Sequence, residues 1–96
     1  MLIVVAYDIS VKDQKGAKRL ARVAKICSRY GQRVQNSVFE CLIDQLTFVK
    51  LKTELTKVIV EKTDSLRFYN LGDHYKNKVT HIGTKEVLDL TDALIF

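Results

Sequence analysis

The run LIVVAYD, from Leu2 to Asp8, is apolar until its last residue, and Asp8 has no acidic neighbour before Asp13. An aspartate that closes an apolar strand has two uses. It can cap the following turn through local hydrogen bonds, as aspartates after strands commonly do. It can also hold a hard cation. One carboxylate alone binds Mg²⁺ weakly, because that ion keeps most of its waters and takes one or two carboxylates. A two-fold axis passing near Asp8 supplies the second. Such a pair repels without metal, which raises one of the two pKa values. With metal it holds a hydrated ion against a phosphate, which suits phosphodiester hydrolysis.

The other chemistry-bearing residues point nowhere as specific. No P-loop, HExxH, GxSxG or dinucleotide-binding fingerprint is present. His74 and His81 stand seven residues apart in different settings and read as surface or loop residues. Glu40 lies between Phe39 and Cys41 and reads equally as an edge charge, a salt-bridge partner or a site residue. Cys27 and Cys41 form no CxxC and read as reduced core residues.

The basic residues are more telling. Half of the sixteen Lys and Arg fall between Lys12 and Arg33, against one acid, Asp13. Lys15, Lys18, Arg22, Lys25 and Arg29 recur at intervals of 3, 4, 3 and 4, so on a helix they form one stripe. Adjacent like charges repel by roughly a few tenths of a kcal/mol per pair, a penalty that a phosphate backbone removes. A solvated helix face is the plain alternative, and the near-absence of interleaved acids favours a polyanion. No zinc-finger spacing or RNP1 aromatic pattern is present, so phosphate contacts with little sequence preference are expected.

These residues need elements to position them. The 96 residues make one domain, 1–96, with net charge +5, 47% apolar residues, no Pro and 4 Gly. No apolar run approaches the roughly 18 residues of a membrane span. The N-terminus lacks the features of a signal peptide, so a cytoplasmic protein is expected. Leu2–Tyr7 reads as a strand apolar on both faces. Ser10–Gly16 reads as a loop, and Ala17–Tyr30 as a helix burying Ala17, Leu20, Ala21, Ala24 and Cys27, stopped by Gly31. Arg33–Ile43 reads as two short strands around Asn36–Ser37. Asp44 caps a second helix, Gln45 to Val60, with Phe48, Leu51, Leu55, Val58 and Ile59 inward. Thr63–Ser65 reads as a turn, Leu66–Leu71 as a strand, Val79–Ile82 as a further short strand, and DALIF as an apolar tail. The order β-α-β-β-α-β fits an α+β ferredoxin-like sandwich with an extra C-terminal strand. Its helix-free sheet face, apolar along the first strand, is expected to close against a second copy in a two-fold homodimer.

Tyr7–Asp8, the basic helix, YGQRVQNSVFEC from Tyr30 to Cys41, DSLRFYNLG from Asp64 to Gly72 and HIG from His81 to Gly83 together resemble the CRISPR-associated Cas-two proteins, over essentially the whole chain. The resemblance implies a symmetric dimer that exchanges its tail strand. It also implies metal-dependent endonuclease activity on double-stranded DNA or RNA, with Mg²⁺ or Mn²⁺ as cofactor. It makes Asp8 the catalytic, metal-binding residue, with Tyr7, Arg33 and Phe39 beside it. The expected nucleic-acid contacts are Lys12, Lys15, Lys18, Arg19, Arg22 and Arg33. The alternative role is non-catalytic: an architectural subunit that binds duplex DNA and bridges dimers of the CRISPR integrase during spacer acquisition.

Overall fold

Side chains alternate along β1 (Leu2–Asp8), and that alternation sets the architecture. The computed structural model describes residues 1–84. Ile3, Val5 and Tyr7 enter one core with Val23, Ile26 and Cys27 of α1 (Gln14–Tyr30) and Leu51 and Leu55 of α2 (Gln45–Val58). Val4, Ala6 and Asp8 therefore point to the opposite, helix-free face. β2 (Gln32–Gln35), β3 (Val38–Leu42) and β4 (Ser65–Asn70) complete an antiparallel sheet in the order β2-β3-β1-β4. β1 pairs with β3 on one side and β4 on the other. This is the expected ferredoxin-like α+β arrangement.

Both helices begin on an aspartate whose side chain accepts a hydrogen bond from an amide of the first turn. Asp13 Oδ1 accepts from Gly16 N at 2.7 Å, and Asp44 Oδ1 from Thr47 N at 2.8 Å. The Asp13 cap starts α1 at Gln14, three residues before the expected Ala17. α2 ends at Val58 rather than Val60, because the Val60 amide turns to Asp64 Oδ2 at 2.9 Å.

The buried face of α1 also differs from expectation. Gly16, Val23, Ile26 and Cys27 are buried, while Ala17 and Ala21 are exposed. Close approach explains the shift. A Cβ at Gly16 would strike the carbonyl oxygen of Ser10, so this edge of the helix lies directly against the β1–α1 loop. Gly31 works the same way against Glu40 and Cys41. Its φ of −166° is extended, so it ends α1 by lack of bulk and not by a left-handed conformation.

Val79–Ile82 forms no strand. Val79, Thr80 and His81 instead line an opening with Val34, Gln35, Val38 and Glu40. A β-forming run becomes a strand only where a ladder partner is available. The expected tail strand and the apolar end Ala93–Phe96 lie outside the described residues.

Candidate metal and nucleic-acid site

Asp8 is the last residue of β1 and its side chain is exposed. It pairs across the β1–β4 ladder with Ser65. Around it the helix-free face carries Ala6 between Val38 and Arg67, and Val4 between Glu40 and Tyr69. Tyr69 is 45% exposed although large and partly apolar. Along β1 itself Val4 and Ala6 form an apolar strip, flanked by Glu40 and Arg67, that leads to Asp8 at its end. Among the described residues no group of three or more His, Cys, Asp or Glu stands ready to hold a metal. As a donor set, one exposed carboxylate fits a hard, water-rich cation such as Mg²⁺ or Mn²⁺ only when a second oxygen ligand comes from elsewhere.

Tyr7, Phe39 and Arg33 come together on the other side of β1. The Tyr7 and Phe39 rings stack at 6.3 Å, the Arg33 guanidinium lies 5.1 Å over Phe39, and Arg33 Nη2 reaches the Tyr7 hydroxyl at 3.5 Å. The Tyr7 hydroxyl donates to Asn36 O at 3.3 Å. These residues back the strand that carries Asp8, but alternation aims them away from its carboxylate. Arg33 instead borders an opening lined by Ala24, Lys25, Ser28 and Phe39, so it continues the basic surface of α1.

Lys15, Lys18, Arg22, Lys25 and Arg29 are all exposed, as is Lys12 in the preceding loop. The stripe occupies the outer side of the helix layer, whereas Asp8 belongs to the opposite face of the sheet. The basic stripe and Asp8 therefore lie on different layers of one chain.

Arg19 departs from the expected contact set. Its Nε donates to Asp64 Oδ2 at 2.8 Å and its Nη2 to Asp64 Oδ1 at 3.3 Å. The Asp64 side chain has no exposed surface, and that of Arg19 is 14% exposed. A guanidinium committed to a buried carboxylate is not free for phosphate, so Arg19 leaves the nucleic-acid set. The sequence reading of Asp64 as a turn residue missed this pair. Only an acid and a base 45 positions apart signalled it.

Asp64 accepts three further hydrogen bonds, from Ser10 N at 3.0 Å, Val60 N at 2.9 Å and Thr63 Oγ1 at 3.2 Å. Burial by itself raises its carboxyl. The Arg19 guanidinium and the Val60 and Ser10 amides outweigh that and hold it at about 2.

Glu40, undecided in the sequence, is partly buried on the helix-free face. Burial pushes its carboxyl upward, opposed by the charge of His81. Cys27 and Cys41 are free and buried, as expected, with thiols raised by burial to about 11 and about 12. Thiols at those values are inert at neutral pH. No helix among the described residues is long and apolar enough to cross a membrane.

Residues 1–79 match the family described as CRISPR associated protein Cas2, and the chain belongs to it. A relative from Halalkalibacterium halodurans, "CRISPR-associated endonuclease Cas2", is 55% identical over all of both chains. One from Nitratidesulfovibrio vulgaris, "CRISPR-associated endoribonuclease Cas2", is 47% identical over 99% of this chain and 93% of its own length. The crystal structure of Streptococcus pyogenes Cas2 superposes with a TM-score of 0.76 at 51% identity, over 86% of this chain and all of that one.

Proposed function

We propose that this protein is a metal-dependent endonuclease of the CRISPR spacer-acquisition machinery, acting as a homodimer in which two Asp8 carboxylates share a divalent ion. The observation that carries the reading is the position of Asp8: an exposed carboxylate at the end of β1, on a helix-free face whose apolar strip suits a second copy. The names of the relatives, endonuclease and endoribonuclease, support phosphodiester hydrolysis of DNA or RNA.

Each residue then has a task. Asp8 and its counterpart in the second copy hold Mg²⁺ or Mn²⁺ through carboxylate oxygens. When bound, the ion supplies Lewis-acid stabilisation of phosphoryl charge and a more acidic water. Lys12, Lys15, Lys18, Arg22 and Arg33 hold the phosphate backbone. Tyr7 and Phe39 stiffen β1 from behind.

The exposed stripe favours a second role in the same molecule, an architectural one. It lies on a different layer from Asp8, so the protein can hold duplex DNA and bridge integrase dimers without cleaving. Incubating wild type and Asp8→Ala with duplex DNA and with RNA, in Mg²⁺ and in excess chelator, tests the catalytic reading. Cleavage lost in the variant and in chelator supports it, and the substrate cut names the activity. Integration assays with the partner integrase and Asp8→Ala test the architectural role separately.

A further inference from the structure

Ser10, two residues beyond Asp8, is held at both of its backbone polar groups. Its amide donates to Asp64 Oδ1 at 3.0 Å, and its carbonyl accepts from Arg19 Nη2 at 3.4 Å. Gly16 packs so closely on the same carbonyl that no side chain fits there. On its other side Asp8 pairs with Ser65, the residue immediately after Asp64. Asp64 therefore touches the path of Asp8 twice, through the loop that leaves it and through the strand beside it. The Asp64 side chain is fully buried and accepts from Arg19, Ser10, Val60 and Thr63, so it joins the β1–α1 loop, α1 and the α2–β4 turn at one point. A free turn would satisfy the Ser10 amide with water at no cost. A buried carboxylate in that place fixes direction.

We propose that Asp64 is a positioning residue that, together with Arg19, clamps Ser10 and so fixes the direction in which β1 presents the Asp8 carboxylate. A shared metal site requires this, because two carboxylates on separate chains must converge on one ion, and a misplacement of about 1 Å can cost a hundredfold in rate. The proposal rests on the catalytic reading of Asp8.

The test compares wild type, Asp8→Asn, Asp64→Asn and Arg19→Lys as full-length chains. Arg19→Lys keeps the charge on Asp64 while losing the fork that reaches Ser10. Folding is checked by circular dichroism, and assays are run below the melting range of every variant. Three quantities are read: Ser10 amide exchange by NMR, the Mn²⁺ concentration that half-broadens the amide signals of residues 7–9, and kcat and KM on a labelled substrate. Positioning predicts Ser10 exchange at least tenfold faster in Asp64→Asn, where the amide loses its charged acceptor, and in both Asp64→Asn and Arg19→Lys several-fold weaker Mn²⁺ broadening, kcat at least tenfold lower and KM within twofold. If Asp64→Asn does not fold, Arg19→Lys, which loses the contact to the Ser10 carbonyl, carries the Mn²⁺ and kinetic readings. Folded variants with accelerated Ser10 exchange but wild-type kcat and Mn²⁺ response, alongside an inactive Asp8→Asn, overturn the positioning role alone. Full activity in Asp8→Asn overturns both readings together.

Discussion

Asp8 lies directly across the β1–β4 ladder from Ser65, and the residue before Ser65 is the buried Asp64 that holds Arg19. The exposed acid at the end of β1 and the buried acid just before β4 thus lie close together with opposite tasks. Asp64 is saturated with donors, while Asp8 is left open to solvent.

The buried pair makes the fold acid-sensitive. Asp64 sits at about 2 in the folded chain, below the ordinary aspartate value near 3.9. A depressed carboxylate contributes stability that is fully present above the unfolded value and is lost as pH falls toward the folded one. The urea midpoint of wild type is therefore expected to fall between about pH 4 and pH 2. In Asp64→Asn this contribution is absent, so the midpoint should start lower and change less over that window. Urea melts at half-unit steps of pH check this.

The stripe on α1 predicts salt-sensitive, sequence-blind binding. If two copies together neutralise about six phosphates, log K should fall with log salt at a slope near −5. Lys18→Glu with Arg22→Glu should weaken binding to unrelated duplexes alike, measured by fluorescence anisotropy. Arg19→Ala should lower the melting temperature instead, because it leaves the buried Asp64 without its partner.

The residues of α1 show how far the sequence could be read. The spacing of Lys15, Lys18, Arg22, Lys25 and Arg29 was enough to place the stripe, and all five are exposed. The inward face was harder, since alanines at 17, 21 and 24 fit the same period as Val23, Ile26 and Cys27. The contact between Gly16 and Ser10 and the inward turn of Arg19 chose between them, and both depend on residues remote in sequence or on backbone approach. The order of elements along the chain and the Asp44 cap were legible, because periodicity and capping are local. Asp64 was not, because its environment is assembled from Ser10, Arg19 and Val60. Val79–Ile82 misled for a related reason: its β-forming residues say nothing about whether a ladder partner is present.

The helix-free face predicts dimerisation. Val38 and Ala6 are paired across β1 and β3 on that face. Val38→Asp should weaken self-association at least about tenfold, or about 1.4 kcal/mol, by placing a charge in an apolar contact. Sedimentation at micromolar concentration reads the shift. A wild type that is monomeric throughout would remove the paired-carboxylate site.

The stack of Arg33 on Phe39 predicts that Arg33→Lys keeps phosphate affinity nearly unchanged while costing stability of about 0.5–1 kcal/mol, through loss of the planar contact. Paired urea melts and anisotropy titrations separate the two effects.

Everything proposed for the helix-free face turns on Asp8 supplying the carboxylates of a shared divalent-cation site. Its most direct test is the rate of cleavage of a labelled nucleic acid by Asp8→Asn across a Mn²⁺ titration, beside wild type with and without excess chelator. Asparagine keeps the shape of the side chain and removes its charge, so folding, dimerisation and duplex binding should persist. Cleavage is expected to be at least about a hundredfold slower in Asp8→Asn at every Mn²⁺ concentration, with the same loss for wild type in chelator. Undiminished cleavage by Asp8→Asn, or by wild type without free metal, would contradict that role and leave Asp8 the cap of a turn.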